Sequence, residues 1–152
     1  MRRLSGVLLT GTILMLPAYS QSALAQAAPQ KTTYTGEVVI AAYVVNAGKD
    51  ADYEKVMATL KDSLSKSKRP EAKQQLDGWK VIKNSAAQPD GSSLYVHVIT
   101  PVVKDADYSI TALVYEVVTD PKEQTEFFNL YKGALQKPLF VIQGPIVSDF
   151  SK

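Results

Sequence analysis

The chain has 152 residues, with 17 Lys and Arg against 15 Asp and Glu, a single His and no Cys. A formal charge of +2 on a chain of this length gives no basic field for nucleic acid or an anionic membrane. The missing cysteines exclude disulfides and thiolate metal sites, so stability has to come from the core alone.

Met1-Arg2-Arg3 is basic, Leu4 to Leu16 is mostly apolar, Pro17 breaks the run, and Ala23-Leu24-Ala25 places small residues where a signal peptidase reads. The run is shorter than the ~20 residues of a membrane span. Residues 1–25 therefore read as a cleavable signal peptide, cut after Ala25 or, alternatively, after Ala27. The expected location is periplasmic or secreted, with no membrane anchor after cleavage. Arg2 and Arg3 leave with the signal, so the mature chain carries 15 basic against 15 acidic residues.

Residues 26–34 are small and polar and read as a flexible leader to one domain over 35–150. Glu37–Val45 is rich in β-branched and aromatic residues and predicts a first strand. Tyr53, Val56, Met57, Leu60 and Leu64 recur at helical spacing and predict a helix with one apolar face. Pro70 opens a short second helical piece through Gln75, and Leu76-Asp77-Gly78 reads as a turn. Trp79–Asn84 and Ser93–Thr100 predict a hairpin of two strands around Pro89-Asp90-Gly91. Ile110, Leu113, Val114 and Val117 are helically spaced. Asp120-Pro121-Lys122-Glu123 then starts another helix, with Asp120 as its N-cap. Its apolar face runs through Phe127, Tyr131 and Leu135 and ends at Lys137-Pro138. Leu139–Val147 predicts the last strand, interrupted by Gly144-Pro145, which suits an edge strand or a bulge.

The order β-α-β-β-α-β predicts an α+β, ferredoxin-like fold: a four-stranded antiparallel sheet with helices on one face. The pentapeptide KDADY occurs twice, at Lys49–Tyr53 and at Lys104–Tyr108, each time where a strand hands over to a helix. In each copy an Asp is expected to cap the helix and the Tyr to begin its buried face. The first and third strands are expected to be central, parallel neighbours, which would place both corners at one end of the sheet. Asp50, Asp52, Asp105 and Asp107 would then gather there. Two solvated helix starts account for these acids without a metal; a carboxylate site for Ca²⁺ or Mg²⁺ is the weaker alternative.

The strands do not alternate apolar with polar. Val38, Ile40, Ala42 and Val44 take one face of the first strand and Val39, Ala41, Tyr43 and Val45 the other. The third strand sets Leu94, Val96 and Val98 against Tyr95, His97 and Ile99. Helices can cover only one face, so a second copy of the chain is expected on the other, closing a dimeric α/β barrel.

The element order over Thr35–Phe150, the Gly78-Trp79 entry into the second strand and the corner at Val103–Tyr108 resemble the dimeric α/β-barrel superfamily. That superfamily includes small stress-response proteins, an antibiotic-biosynthesis monooxygenase-like group and relatives that degrade haem. The haem-degrading members use a Trp, a His and an Asn, and this chain has Trp79, His97 and Asn46. The family's His is expected on a helix, whereas His97 falls in a strand, so those roles are not carried over and no cofactor is expected.

A lone His without Cys cannot assemble a usual zinc or copper set within one chain. Tyr95 and His97 are assigned to the barrel interior and Leu94, Val96 and Val98 to the helix side. Tyr95, His97, Trp79 and Ala42 are the candidate ligand-binding residues, with His97 the one catalytic candidate. A structural histidine in a packed interface is the competing reading. Three functions stand: an exported protein that binds a small apolar or aromatic ligand in the barrel cavity, a cofactor-independent monooxygenase-like or haem-degrading-like enzyme, and a purely structural or interaction protein.

Overall fold

The computed structural model describes residues 31–151. The expected signal peptide and both cleavage points lie outside them. Strands β1 (Val38–Val45), β2 (Trp79–Lys83), β3 (Ser93–Ile99) and β4 (Leu135–Gly144) alternate with helices α1 (Asp50–Lys66), α2 (Ala72–Gly78), α3 (Ile110–Tyr115) and α4 (Pro121–Ala134). The strands form one sheet in the order β2-β3-β1-β4, and all three pairings are antiparallel. This is an α+β fold compatible with the ferredoxin-like arrangement. Among the described residues no helix is long and apolar enough to cross a membrane.

The antiparallel pairing of β1 with β3 corrects one expectation. The register runs from Val39 opposite Ile99 to Val45 opposite Ser93. The end of β1 that leads into α1 therefore lies beside the start of β3, and the segment after β3 leaves from the opposite end. The hairpin between β2 and β3 reverses the chain, so β3 runs against β1. The two KDADY corners are at opposite ends of the sheet, and their four aspartates cannot gather around one ion.

Nor are the corners equivalent. The first copy opens α1, but its N-cap is Lys49 and no side chain caps it. Asp52 pairs with Lys49 at 2.9 Å in an exposed contact. The second copy precedes α3 as a loop, with Asp105 at φ 61° and Ser109 at the N-cap. There Asp107 Oδ1 accepts from the backbone N–H of Thr32 and of Ser109, both at 2.9 Å. Tyr108 N–H donates to Thr32 O at 2.7 Å. These bonds dock residues 31–34, the end of the expected flexible leader. Both tyrosines are buried as expected.

Element boundaries moved where a local signal was overruled. Helix α2 runs on to Gly78, because Gln75 is fully buried and anchored. Its amide donates to Asp107 O at 2.8 Å and accepts from Arg69 at 3.1 Å. Arg69 in turn reaches Glu71 and Glu116, so the α1–α2 connection, α2 and α3 are held by one guanidinium. Gly78 allows close packing: a Cβ there would lie 3.0 Å from Pro101 O. Helix α4 ends at Ala134, four residues before Pro138, and β4 begins at once. Pro138 is accommodated because β4 is an edge strand and the proline sits opposite Tyr43, at a register shift.

The helices pack on the face carrying Val39, Val45, Tyr95, His97 and Ile99. Val56, Leu60, Leu64, Ile110, Leu113, Val114 and Phe127 join them in the core. Each buried aliphatic side chain of this size contributes ~1.5–3 kcal/mol by leaving water. Among the described residues no helix covers the opposite face. Ile82, Phe140 and Ile142 are 55%, 42% and 60% exposed, and only at one end does the β2–β3 loop, through Gln88, Pro89 and Ser92, share a groove with Val44 and Leu94.

Asp120 behaves as the sequence predicted, accepting from the N–H groups of Lys122 at 2.8 Å and Glu123 at 3.0 Å. Asp120→Ala is expected to lower unfolding free energy by about 1 kcal/mol in urea titrations. Asp52→Ala, which breaks only an exposed pair, should change it by less than ~0.5 kcal/mol. Equal losses would show that both KDADY and Asp120 act as caps.

Candidate functional site

His97 sits on β3, 1% exposed, pointing toward the helices. Trp79, the first residue of β2, donates its indole N–H to His97 Nδ1 at 3.2 Å. Tyr53, from the first turn of α1, meets Nε2 at 2.8 Å. An indole nitrogen only donates, so Nδ1 carries the lone pair and the proton of the neutral ring is on Nε2, directed at the Tyr53 oxygen. An imidazolium would set two N–H groups against each other at the tryptophan. Burial also penalises the charged ring and lowers its pKa to about 4.

Aromatic contacts extend from this ring. Tyr43 packs on His97 with ring centres 4.9 Å apart, Tyr53 on Tyr95 at 4.8 Å, and Trp79 on Tyr108 at 5.6 Å. Desolvation raises the pKa of Tyr53, Tyr95 and Tyr131, keeping their hydroxyls protonated. Tyr95 ends in a polar cluster. Its hydroxyl lies 3.0 Å from Asp50 and 2.8 Å from Glu54, and Lys83 Nζ lies 3.2 Å and 3.6 Å from the same carboxylates. Asp50 is held below the usual carboxylate range by a Ser93 hydrogen bond, which together with Tyr95 and Lys83 outweighs the opposing effect of desolvation.

Three of the four candidate ligand residues, Tyr95, His97 and Trp79, share one neighbourhood. It lies on the helix side of the sheet, so the assignment of Tyr95 and His97 to a barrel interior is reversed. Strand alternation identified the partition of residues but not which set the helices would cover. Tyr53, on α1, meets His97 and Tyr95 on that face. Ala42 pairs with Val96 and Phe140 and belongs to the other, open face, buried by its neighbours. Asn46 is remote in role: its amide donates to Gly133 O at 3.0 Å and ties β1 to the end of α4. Among the described residues no group of three or more His, Asp or Glu is placed to hold a metal ion.

Beside this core runs a groove of about 430 Å³ between α1, α2 and β2, lined by Met57, Leu60, Leu64, Leu76, Trp79 and Val81, with Ala58 and Lys61. It exists because β2 is an edge strand that α1 only partly overhangs, leaving Val81 38% exposed. Trp79 forms part of its wall and is fixed from behind by His97. Sequence reading missed the α1 residues here. Met57, Lys61 and Leu64 fall at i, i+4 and i+7, a spacing indistinguishable from ordinary core packing.

His97 makes a defined contribution to stability against pH. Its folded pKa is depressed from 6.5 to about 4, so the unfolded chain binds more protons in that interval. Its contribution is complete above ~6.5 and falls away down to pH ~4, by roughly 3 kcal/mol in all. His97→Leu should flatten the stability–pH curve relative to the parent across that window. At neutral pH it should cost roughly 2 kcal/mol, because Trp79 and Tyr53 lose a buried partner. Parallel curves for the two proteins would show that the ring is not buried neutral.

No protein-family model matches this chain, and no curated protein or solved structure shows significant similarity to it.

Proposed function

We propose that this is an exported, ferredoxin-like protein that binds a small apolar or aromatic molecule in the α1–α2–β2 groove and pairs with a second copy through its open sheet face. The observation that carries the binding reading is the Trp79 wall. A large apolar ring borders a concave surface, and a part-buried hydrogen bond to His97 holds it in place before any ligand arrives. Such preorganisation lowers the ordering cost of binding. The pairing is supported by Ile40, Ile82, Phe140 and Ile142, exposed apolar side chains on the face away from the helices. Val147 and Phe150, just beyond β4, are almost fully exposed as well.

Binding without chemistry is favoured over a cofactor-independent oxygenase by the state of His97. Its one lone pair is engaged by Trp79, and its Nε2 proton is directed at Tyr53. A general base needs a free lone pair within reach of its substrate, and this ring is 1% exposed.

The first test is native mass spectrometry of the protein purified from its own source. A dimer with additional bound mass is expected. Ala58→Phe, placed in the groove lining, should remove that mass and leave the dimer intact. Retention of the mass in this variant would put the ligand elsewhere, and the open face would be the next place to look. Ile142→Lys, on that face, should convert dimer to monomer in sedimentation analysis. A wild-type monomer would overturn the pairing.

A further inference from the structure

The groove has one charged lining residue, Lys61. Its side chain is exposed on α1, one turn beyond Met57 and one turn before Leu64. The neighbouring acids on the helix are already taken: Glu54 and Asp50 by Lys83, and Asp62 by Lys66 at 2.6 Å. Lys61 itself makes no ion pair among the described residues. The Lys83 bridge links the start of α1 to the end of β2, two residues beyond Val81 and outside the groove lining. At the other side Leu76 of α2 and Trp79 form the wall. The result is an apolar trough with one unneutralised cation on its lining.

Resting on the groove-binding reading above, we infer that the ligand is an amphiphilic monoanion, with an apolar body on Met57, Leu60, Leu64, Leu76 and Trp79 and a carboxylate or similar acid group paired with Lys61. The charge sets orientation as well as preference. A lysine on a helix flank reaches the mouth with its ammonium while its methylene stem stays against apolar surface. The acid group would therefore remain at the water boundary, where pairing needs no full desolvation. A cationic ligand would meet like charge, and a neutral one would leave the ammonium as solvated as before. Because the pair is at the surface, its effect is modest and falls with salt.

Trp79 is the only tryptophan, so its emission reports the groove directly. The probes are 4-cyclohexylbutanoate and its amide, which match in shape, differ in charge and do not absorb with tryptophan. The wild type at low salt is expected to bind the acid roughly five-fold more tightly than the amide. Lys61→Gln should bring the two to parity without changing amide affinity, and Lys61→Glu should favour the amide. High salt should erase the wild-type preference. Equal binding of both probes by the wild type would overturn the charge assignment and leave the groove reading standing. Failure of both probes to perturb Trp79 would overturn the groove reading itself, and the assignment with it.

Discussion

The hydrogen bonds around His97 set the terms for the rest of the structure. They join β2, β3 and α1 through one ring, because Trp79, His97 and Tyr53 come from those three elements. Burying an imidazole without partners is costly, and here both nitrogens are engaged. Burial disfavours the charged form, and the Trp79 bond adds to this, since Nδ1 must accept. A titratable residue thus behaves as a neutral structural connector. Its second effect is on the surface: the indole that bonds it is part of the groove wall.

The sheet is apolar on both faces, yet the faces meet different surroundings. On one, helices supply the cover, and the aromatic side chains of β1 and β3 fill the space beneath them. On the other, Ile82, Phe140 and Ile142 stand exposed, without cover from the described residues. The edge strands differ as well. Pro138 and a register shift interrupt pairing along the first half of β4, a feature that discourages indefinite edge-to-edge addition. β2 is short and only partly overhung, and that shortfall of cover is what creates the groove.

The KDADY repeat shows how the same five letters take their meaning from position. In the first copy the acids open a 17-residue helix, where they complement its N-terminal dipole. In the second, Asp105 has a left-handed backbone and Asp107 ties the loop to residues 31–34 through Thr32. Only the tyrosines keep a common role. Tyr53 and Tyr108 both turn inward, contacting His97 and Trp79 from opposite ends of the aromatic core.

The sequence by itself determined the α+β class and the helix start at Asp120, because these depend on local periodicity and capping. It also determined that both faces of the central strands are apolar, since alternation is read residue by residue. It could not determine which face the helices cover, because Tyr95/His97 and Val96/Val98 are equally able to be buried. The start of β4 at Leu135 and the extension of α2 to Gly78 were likewise settled by tertiary contacts, the edge position of Pro138 and the burial of Gln75. The groove was invisible for a related reason. Its lining is drawn from α1, α2 and β2, and Met57, Lys61 and Leu64 carry no local sign of facing a gap. Whether a helix overhangs a neighbouring strand completely is decided by the geometry of the whole sheet, and only the folded chain fixes that distance.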